Sequence, residues 1–294
     1  MADITQVKLE VITPEYGTYD LTDLVNFDFT DGDNFGMAGL RRLTQRGPMQ
    51  HGVSDVGFRL DPRQLLLTVR GLASDEAGYY AARALLLKVF KPRAAALGLR
   101  ISLPPSTVRQ IDCHFSGRLT LPWSTREGMI QRDVVQLFAP DPTWYDPVTV
   151  TTPFQQVGGG TGMPFPLLFP FTLGASTLAQ SSVITNAGSW ITYPRITITG
   201  PITNPVITNS TTGEKLDFTG HSVGNGDYYV IDTRYGYKTV TDAAGANQIA
   251  MLTADSDLAT FHFEPGDNSV SIAGTLITAA TSIVVSHYAR YVGV

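Results

Sequence analysis

The decapeptide Phe138–Pro147, F-A-P-D-P-T-W-Y-D-P, constrains this chain more than any other stretch. Three prolines within eight residues remove backbone donors and fix φ, so neither a strand nor an ordinary helix is expected to run through it. It reads as a stiff exit from one folded region, with Trp144 and Tyr145 as an interdomain anchor. The sequence changes character across it. Residues 1–150 hold 16 of the 21 Lys/Arg and 17 of the 26 Asp/Glu, leaving a charge-poor, Gly/Thr/Pro-rich remainder. Two domains are therefore expected, 1–146 and 147–294, within the size range of ordinary domains.

The 28 Gly and 18 Pro, with many Thr and Val, favour a mainly β chain with numerous turns. A formal net charge of −5 gives no electrostatic reason to expect sequence-specific nucleic-acid binding. No apolar run reaches membrane-spanning length, and the start M-A-D-I-T lacks the basic and apolar regions of a signal peptide, so synthesis in a cytoplasm without membrane insertion is expected. Cys113, the single cysteine, excludes an internal disulfide and reads as a small buried strand residue between Ile111 and Phe115.

The first half is expected to be α+β, a sandwich or barrel with one helix. Val7, Leu9 and Val11 alternate with Lys8 and Glu10 as in a half-buried strand. Val25–Phe29, Gln64–Val69, Leu99–Leu103, Val108–Leu121 and Met129–Leu137 are further strands. Ser74-Asp75-Glu76 supplies an N-cap and first-turn acids for a helix over Ala77–Phe90, stopped by Lys91-Pro92. Tyr79, Ala82, Leu86 and Val89 form its core stripe.

The second half shows almost no helical periodicity. After Val148–Thr152 a long connection is expected, packing Phe165, Leu167, Phe169 and Phe171 on a sheet. Short strands follow over Trp190–Thr199, Asn204–Thr208, Glu214–Phe218, Tyr228–Asp232, Tyr237–Thr241, Ala259–Phe263, Val270–Ala273 and Ser282–Tyr291. About eight short strands without crossover helices indicate a jelly-roll sandwich.

Catalytic patterns are missing. Gly158–Gly162 lacks the Lys-Ser/Thr of a phosphate loop and runs into Met163-Pro164, so a connecting segment is the better reading. Asp31–Gly36 begins like a calcium loop but puts Phe35 at a ligand position, which favours a polar turn. His51, His114, His221, His262 and His287 never stand at metal-ligand spacing; His114, His262 and His287 read as sheet surface. Asp255, Asp257 and Glu264 sit at turns, where acids are ordinary. No catalytic, cofactor or metal residue is assigned, and no enzyme activity or cofactor is expected.

Three stretches carry a family resemblance. Phe138–Pro147 is one. Asn186–Phe218 contains N-A-G-S-W-I-T-Y-P-R-I-T-I-T-G-P and then an Asn-Pro hairpin with a Thr-Gly turn. Leu258–Gly274 contains F-H-F-E-P-G-D-N, and a final strand V-V-S-H-Y-A-R-Y closes the chain. Together, and in this order, they resemble the distal tail proteins of long, non-contractile-tailed bacteriophages. The resemblance implies a structural virion protein at the distal end of the tail. Its N-terminal domain would form a homohexameric ring between the tail tube protein and the tail-tip or baseplate hub proteins, leaving a channel for DNA. A galectin-like C-terminal sandwich would lie outside the ring. The alternative is a carbohydrate-binding module for host-surface glycan, with Trp190, Tyr193, Tyr228, Tyr229, Tyr235, Tyr237, Tyr288 or Tyr291 as stacking platforms, although core and edge packing suits most of them. The densest basic cluster, Arg41, Arg42 and Arg46, lies in a stretch with little strand pattern. It reads as a solvated loop or as an intersubunit or tube-docking arm.

Overall fold

A computed structural model describes residues 7–155 and 176–294. The chain is mainly β with one α-helix among the described residues. It divides into two compact units, Met1–Pro147 with Tyr291–Val294, and Val148–Arg290.

In the first unit β1 (Lys8–Thr13), β2 (Gly17–Asp20), β3 (Phe27–Asp33), β4 (Leu40–Gln45), β5 (Ser54–Leu60) and β6 (Arg63–Gly71) precede α1 (Glu76–Val89). After the helix come β7 (Leu97–Leu103), β8 (Thr107–Phe115), β9 (Arg126–Glu127), β10 (Ile130–Ala139) and β11 (Trp144–Gln155), which continues past Pro147 into the second unit. Strand β10 lies between β6 and β8, and β3 ends the ladder beyond β6. The β1–β7–β8 ladder carries β2 at its far side. Alternation along β6 buries Leu65, Leu67 and Val69, which join Leu86 and Val89 of the helix, Val135 and Leu137 of β10, and Trp144 in one core. The helix buries its expected stripe of Tyr79, Ala82, Leu86 and Val89, but its N-cap is Asp75, whose carboxylate accepts from Gly78 N at 2.7 Å. Cys113 is buried on β8, and burial pushes its thiol up to about 12.

The second unit contains β12 (Thr177–Asn186), β13 (Arg195–Thr199), β14 (Ile202–Asn209), β15 (Glu214–Asp217), β16 (Ser222–Val223), β17 (Tyr228–Asp232), β18 (Thr239–Asp242), β19 (Gly266–Thr275) and β20 (Ser282–Tyr291). Strands β12-β19-β14-β15 form one sheet, with β16 beside β14; β18-β17-β13-β20 run in order in the other. Ile196, Ile198, Ile231, Val240, Ile283 and Val285 from the latter share a core with Ile184, Ile207, Leu216, Val270 and Ile272 from the former. Two sheets with inward-facing apolar residues make a sandwich.

Several sequence expectations need correction. The Pro-rich exit does not exclude a strand: β11 starts at Trp144 and runs through Pro147 and Pro153. Proline is tolerated in a strand wherever no ladder partner needs its missing N–H. Strand β12 was not expected, because T-L-A-Q-S-S-V-I-T-N is rich in small polar residues; pairing along the whole of β19 supplies what local propensity lacks. Conversely, Ala259–Phe263 forms turns with one bridge, Thr192 to Phe263, and His262 therefore lies outside any strand. His287 is on β20 as expected but is buried rather than on the surface, edge-on to Phe263 at 5.5 Å. The expected turn over Asp31–Gly36 is extended backbone up to Asp33. Phe165, Leu167, Phe169, Phe171 and the Gly158–Gly162 run lie outside the described residues.

Candidate functional site

The basic cluster lies on a β-hairpin rather than in a loop. Arg41 and Arg42 are in β4, and Arg46 follows its end. Among the described residues strand β4 pairs only with β5, in a separate two-stranded sheet that leaves both outer edges open. Most of its residues are exposed, including Leu40, Val53, Val56 and Phe58, and Met49 at the tip is 100% accessible. An isolated two-stranded hairpin is marginal in water, and a contiguous exposed apolar surface marks an interaction site. Arg42 pairs with Asp55 at 2.7 Å and lies 5.9 Å from the Phe58 ring centroid, while Arg41 is 3.6 Å from Asp61. Exposed pairs of this kind stabilise little. They orient the arm's guanidiniums without neutralising all of them: among the described residues Arg46 has no ion pair and donates to Gln50 O.

The root of the arm is held far more firmly than its blade. Arg63, 1% accessible, donates from Nη1 to Asn34 O and Gly36 O (both 2.6 Å), from Nε to Pro142 O (3.0 Å) and from Nη2 to Val292 O (2.9 Å). Burial lowers its pKa, yet a guanidinium keeps its charge, and the fork geometry spreads it over four carbonyls. Phe35 stacks on Trp144 with centroids 5.7 Å apart, and Val294 N donates to Phe35 O at 3.1 Å. Gly293 lies so close to Gly36 that a Cβ would sit 2.7 Å from the Gly36 oxygen.

Trp144 thus anchors the core of the first unit, fully buried beneath Arg63 at 5.9 Å. Tyr145 pairs with Gln110 across the β11–β8 ladder; its hydroxyl donates to Asp112 Oδ1 (2.7 Å) and accepts from Gln110 Nε2 (2.9 Å). Phe35 links the two sequence features, joining Trp144 to the segment that leads into the arm. Arg63 was missed from sequence; the available signal was a basic residue opening the apolar Leu65–Val69 run.

In the second unit the tyrosines separate into two kinds. Tyr193 is nearly buried, whereas Tyr235 and Tyr237, on the turn after β17, are 67% and 59% exposed. That turn is braced. Arg234 Nη2 and Nε reach both Asp232 oxygens at 2.6 and 2.9 Å, and Thr233 Oγ1 donates to Pro194 O at 2.7 Å. Burial works against the charge of Asp232, but the Arg234 hydrogen bonds outweigh it and hold the carboxyl below its usual range. Tyr193 donates to the Tyr235 hydroxyl at 3.0 Å, with rings edge-on at 4.7 Å, and Lys238 Nζ lies 4.4 and 5.0 Å from the two ring centroids. His262 approaches Glu264 through Nε2 and Glu214 through Nδ1, both at 3.1 Å. Burial opposes its protonation, yet the Glu264 hydrogen bond and the nearby carboxylates raise its pKa overall. Asp257 Oδ2 accepts from Lys215 N at 3.1 Å, and Asp255 is an exposed neighbour of Lys215 at 3.8 Å. Among the described residues no group of three or more His, Cys, Asp or Glu is placed to hold a metal, and no helix is long and apolar enough to cross a membrane.

Residues 187–291 match the family model described as the siphovirus-type tail component, C-terminal domain. The fold is similar to that of SPP1 Dit (gp 19.1), described as a paradigm of the hub adsorption apparatus in phages infecting Gram-positive bacteria. That match has a TM-score of 0.63 at 14% identity and covers 97% of this chain and 98% of that one. A chain of the phage P2 baseplate, in its activated conformation with Ca, matches at TM-score 0.52 and 10% identity over 95% of this chain and 97% of that one. The Sr form of that baseplate matches at 0.51. No curated protein sequence matches. Both comparisons support the resemblance to distal tail proteins read from the sequence.

Proposed function

We propose that this chain is a distal tail protein of a long, non-contractile-tailed bacteriophage, a structural component of the virion rather than an enzyme. Its first unit forms a homohexameric ring at the distal end of the tail. The ring joins the tail tube protein to the tail-tip or baseplate hub proteins and leaves a central channel for DNA. The chain is made in the host cytoplasm. The second unit, a galectin-like sandwich, lies outside the ring.

Similarity to a hub protein along nearly the whole chain supports this reading, and the β4–β5 arm is the single observation in the molecule that carries it. A cyclic ring requires a heterologous contact, in which one surface of a copy meets a different surface of the next. A hairpin with two open edges, exposed apolar residues and Arg41, Arg42 and Arg46 is such a surface. Native mass spectrometry of the full chain, alone and with tube protein, tests the assembly. The expected mass is six copies; a closed dimer persisting in assembled particles overturns the ring.

A second reading adds host-glycan binding by the second unit. What favours it is the braced turn that holds Tyr235 and Tyr237 in solvent, since pre-ordered aromatics lose little entropy on stacking. Titration with host envelope glycan, followed by tyrosine fluorescence, tests it: Tyr235→Ala with Tyr237→Ala should abolish the response.

A further inference from the structure

Arg41 and Arg59 stand directly opposite one another across the hairpin, so two guanidiniums share one face at cross-strand distance. Like charges in that position destabilise a hairpin. Asp61 lies beside Arg41, but among the described residues Arg59 has no ion pair. An arm built this way is more stable when an external acid meets it.

Strand β3 has the complementary character. It pairs with β6 on one side and ends its sheet on the other. Asp31 and Asp33 lie opposite Thr68 and Leu66, off the core side of β6, and both are exposed. Among the described residues their carboxylates accept only from the adjacent Gly32 and Asn34 amides, at 2.9 and 2.7 Å, and neither has an ion pair. Asp28 differs, being paired with Arg70. Charged residues and a bulge, here between Phe29 and Asp31, keep a free edge from pairing indiscriminately. A basic strand is the partner such an edge selects.

Within one copy the hairpin and β3 do not pair, and Arg63 fixes the Asn34–Gly36 connection between them. The two unlike surfaces are what a heterologous contact between copies needs. We propose that the open β5 edge of one copy's arm adds to the open β3 edge of the next copy, setting Arg59 beside Asp31 and Asp33. This assignment rests on the ring reading above and names the surface that receives the arm.

Charge reversal and cross-linking in the full chain test it. Arg59→Glu, and separately Asp31→Arg with Asp33→Arg, should weaken hexamer formation about tenfold or more, and all three changes in one chain should restore it. Circular dichroism and thermal melting of each variant check that the exposed substitutions leave the fold intact. Arg59→Cys with Asp33→Cys should give a non-reducing ladder up to six copies on mild oxidation. Cys113 will not compete, because its thiol is buried. Hexamers that persist in both reversal variants and yield no ladder overturn the β3 assignment while leaving the ring intact. A wild-type chain that stays monomeric, alone and with tube protein, overturns both.

Discussion

Arg63 and Val292 are 229 positions apart in sequence and meet at 2.9 Å, guanidinium to carbonyl. The same guanidinium holds Asn34, Gly36 and Pro142, so one buried side chain ties the chain's end, the root of the arm and the approach to Trp144. A cation satisfied only by carbonyls is stable in the interior if every donor is used, and costly once partners are lost.

Replacing Arg63 should therefore be among the most damaging single changes in the first unit. Arg63→Ala is expected to destabilise it by about 3 kcal/mol or more, through unsatisfied carbonyls and a void above Trp144. Arg63→Lys should recover only part of this, because an ammonium cannot reproduce the fork. Urea unfolding followed by Trp fluorescence measures both.

The chain's last residues belong with the first unit, which alters what a fragment should do. Residues 1–147 expressed alone should fold, but with stability lower by roughly 1–3 kcal/mol than in the full chain, because Arg63 lacks Val292. Residues 148–290 should be soluble and β-rich by circular dichroism. Aggregation of both fragments would show that the two units share one folding core.

Two histidines should give the second unit opposing pH dependences. Burial lowers the pKa of His287 below its usual 6.5, so the unfolded chain binds its proton first. Its contribution is present above about pH 6.5 and lost as pH falls. For His262 the folded pKa is raised above 6.5, so its contribution is full below that value and fades as pH rises through the folded pKa. Thermal melts from pH 5 to 8 should show His287→Phe flattening the acid side and His262→Gln the neutral side. Unchanged profiles in both variants would sink this account.

Asp255, Asp257 and Glu264 should prove dispensable for assembly and DNA delivery when changed singly to Ala. Asp257→Ala should still cost about 1 kcal/mol, because its carboxylate accepts from Lys215 N. Incubation with host envelope glycan should release no reducing ends. Release that disappears in any of these variants would mean that the second unit is an enzyme.

Local chemistry made part of this protein legible in the sequence. The apolar stripe Tyr79, Ala82, Leu86 and Val89, the buried Cys113 and the short-strand character of the second half follow from periodicities of 3.6 and 2, which depend only on near neighbours. Tertiary structure decided the rest. Strand β12 exists because β19 pairs with all of it, and β11 runs through two prolines, which a strand accepts where no ladder partner needs their missing donors. Trp144 stands out in the sequence, but its place in the core of the first unit, beside Phe35 and Arg63, does not, since each lies in a separate segment. The β4–β5 arm shows the same limit from the other side. Its residues lack the alternation of a half-buried strand because neither face is covered by the described residues, and burial on one face is what writes strand periodicity into a sequence.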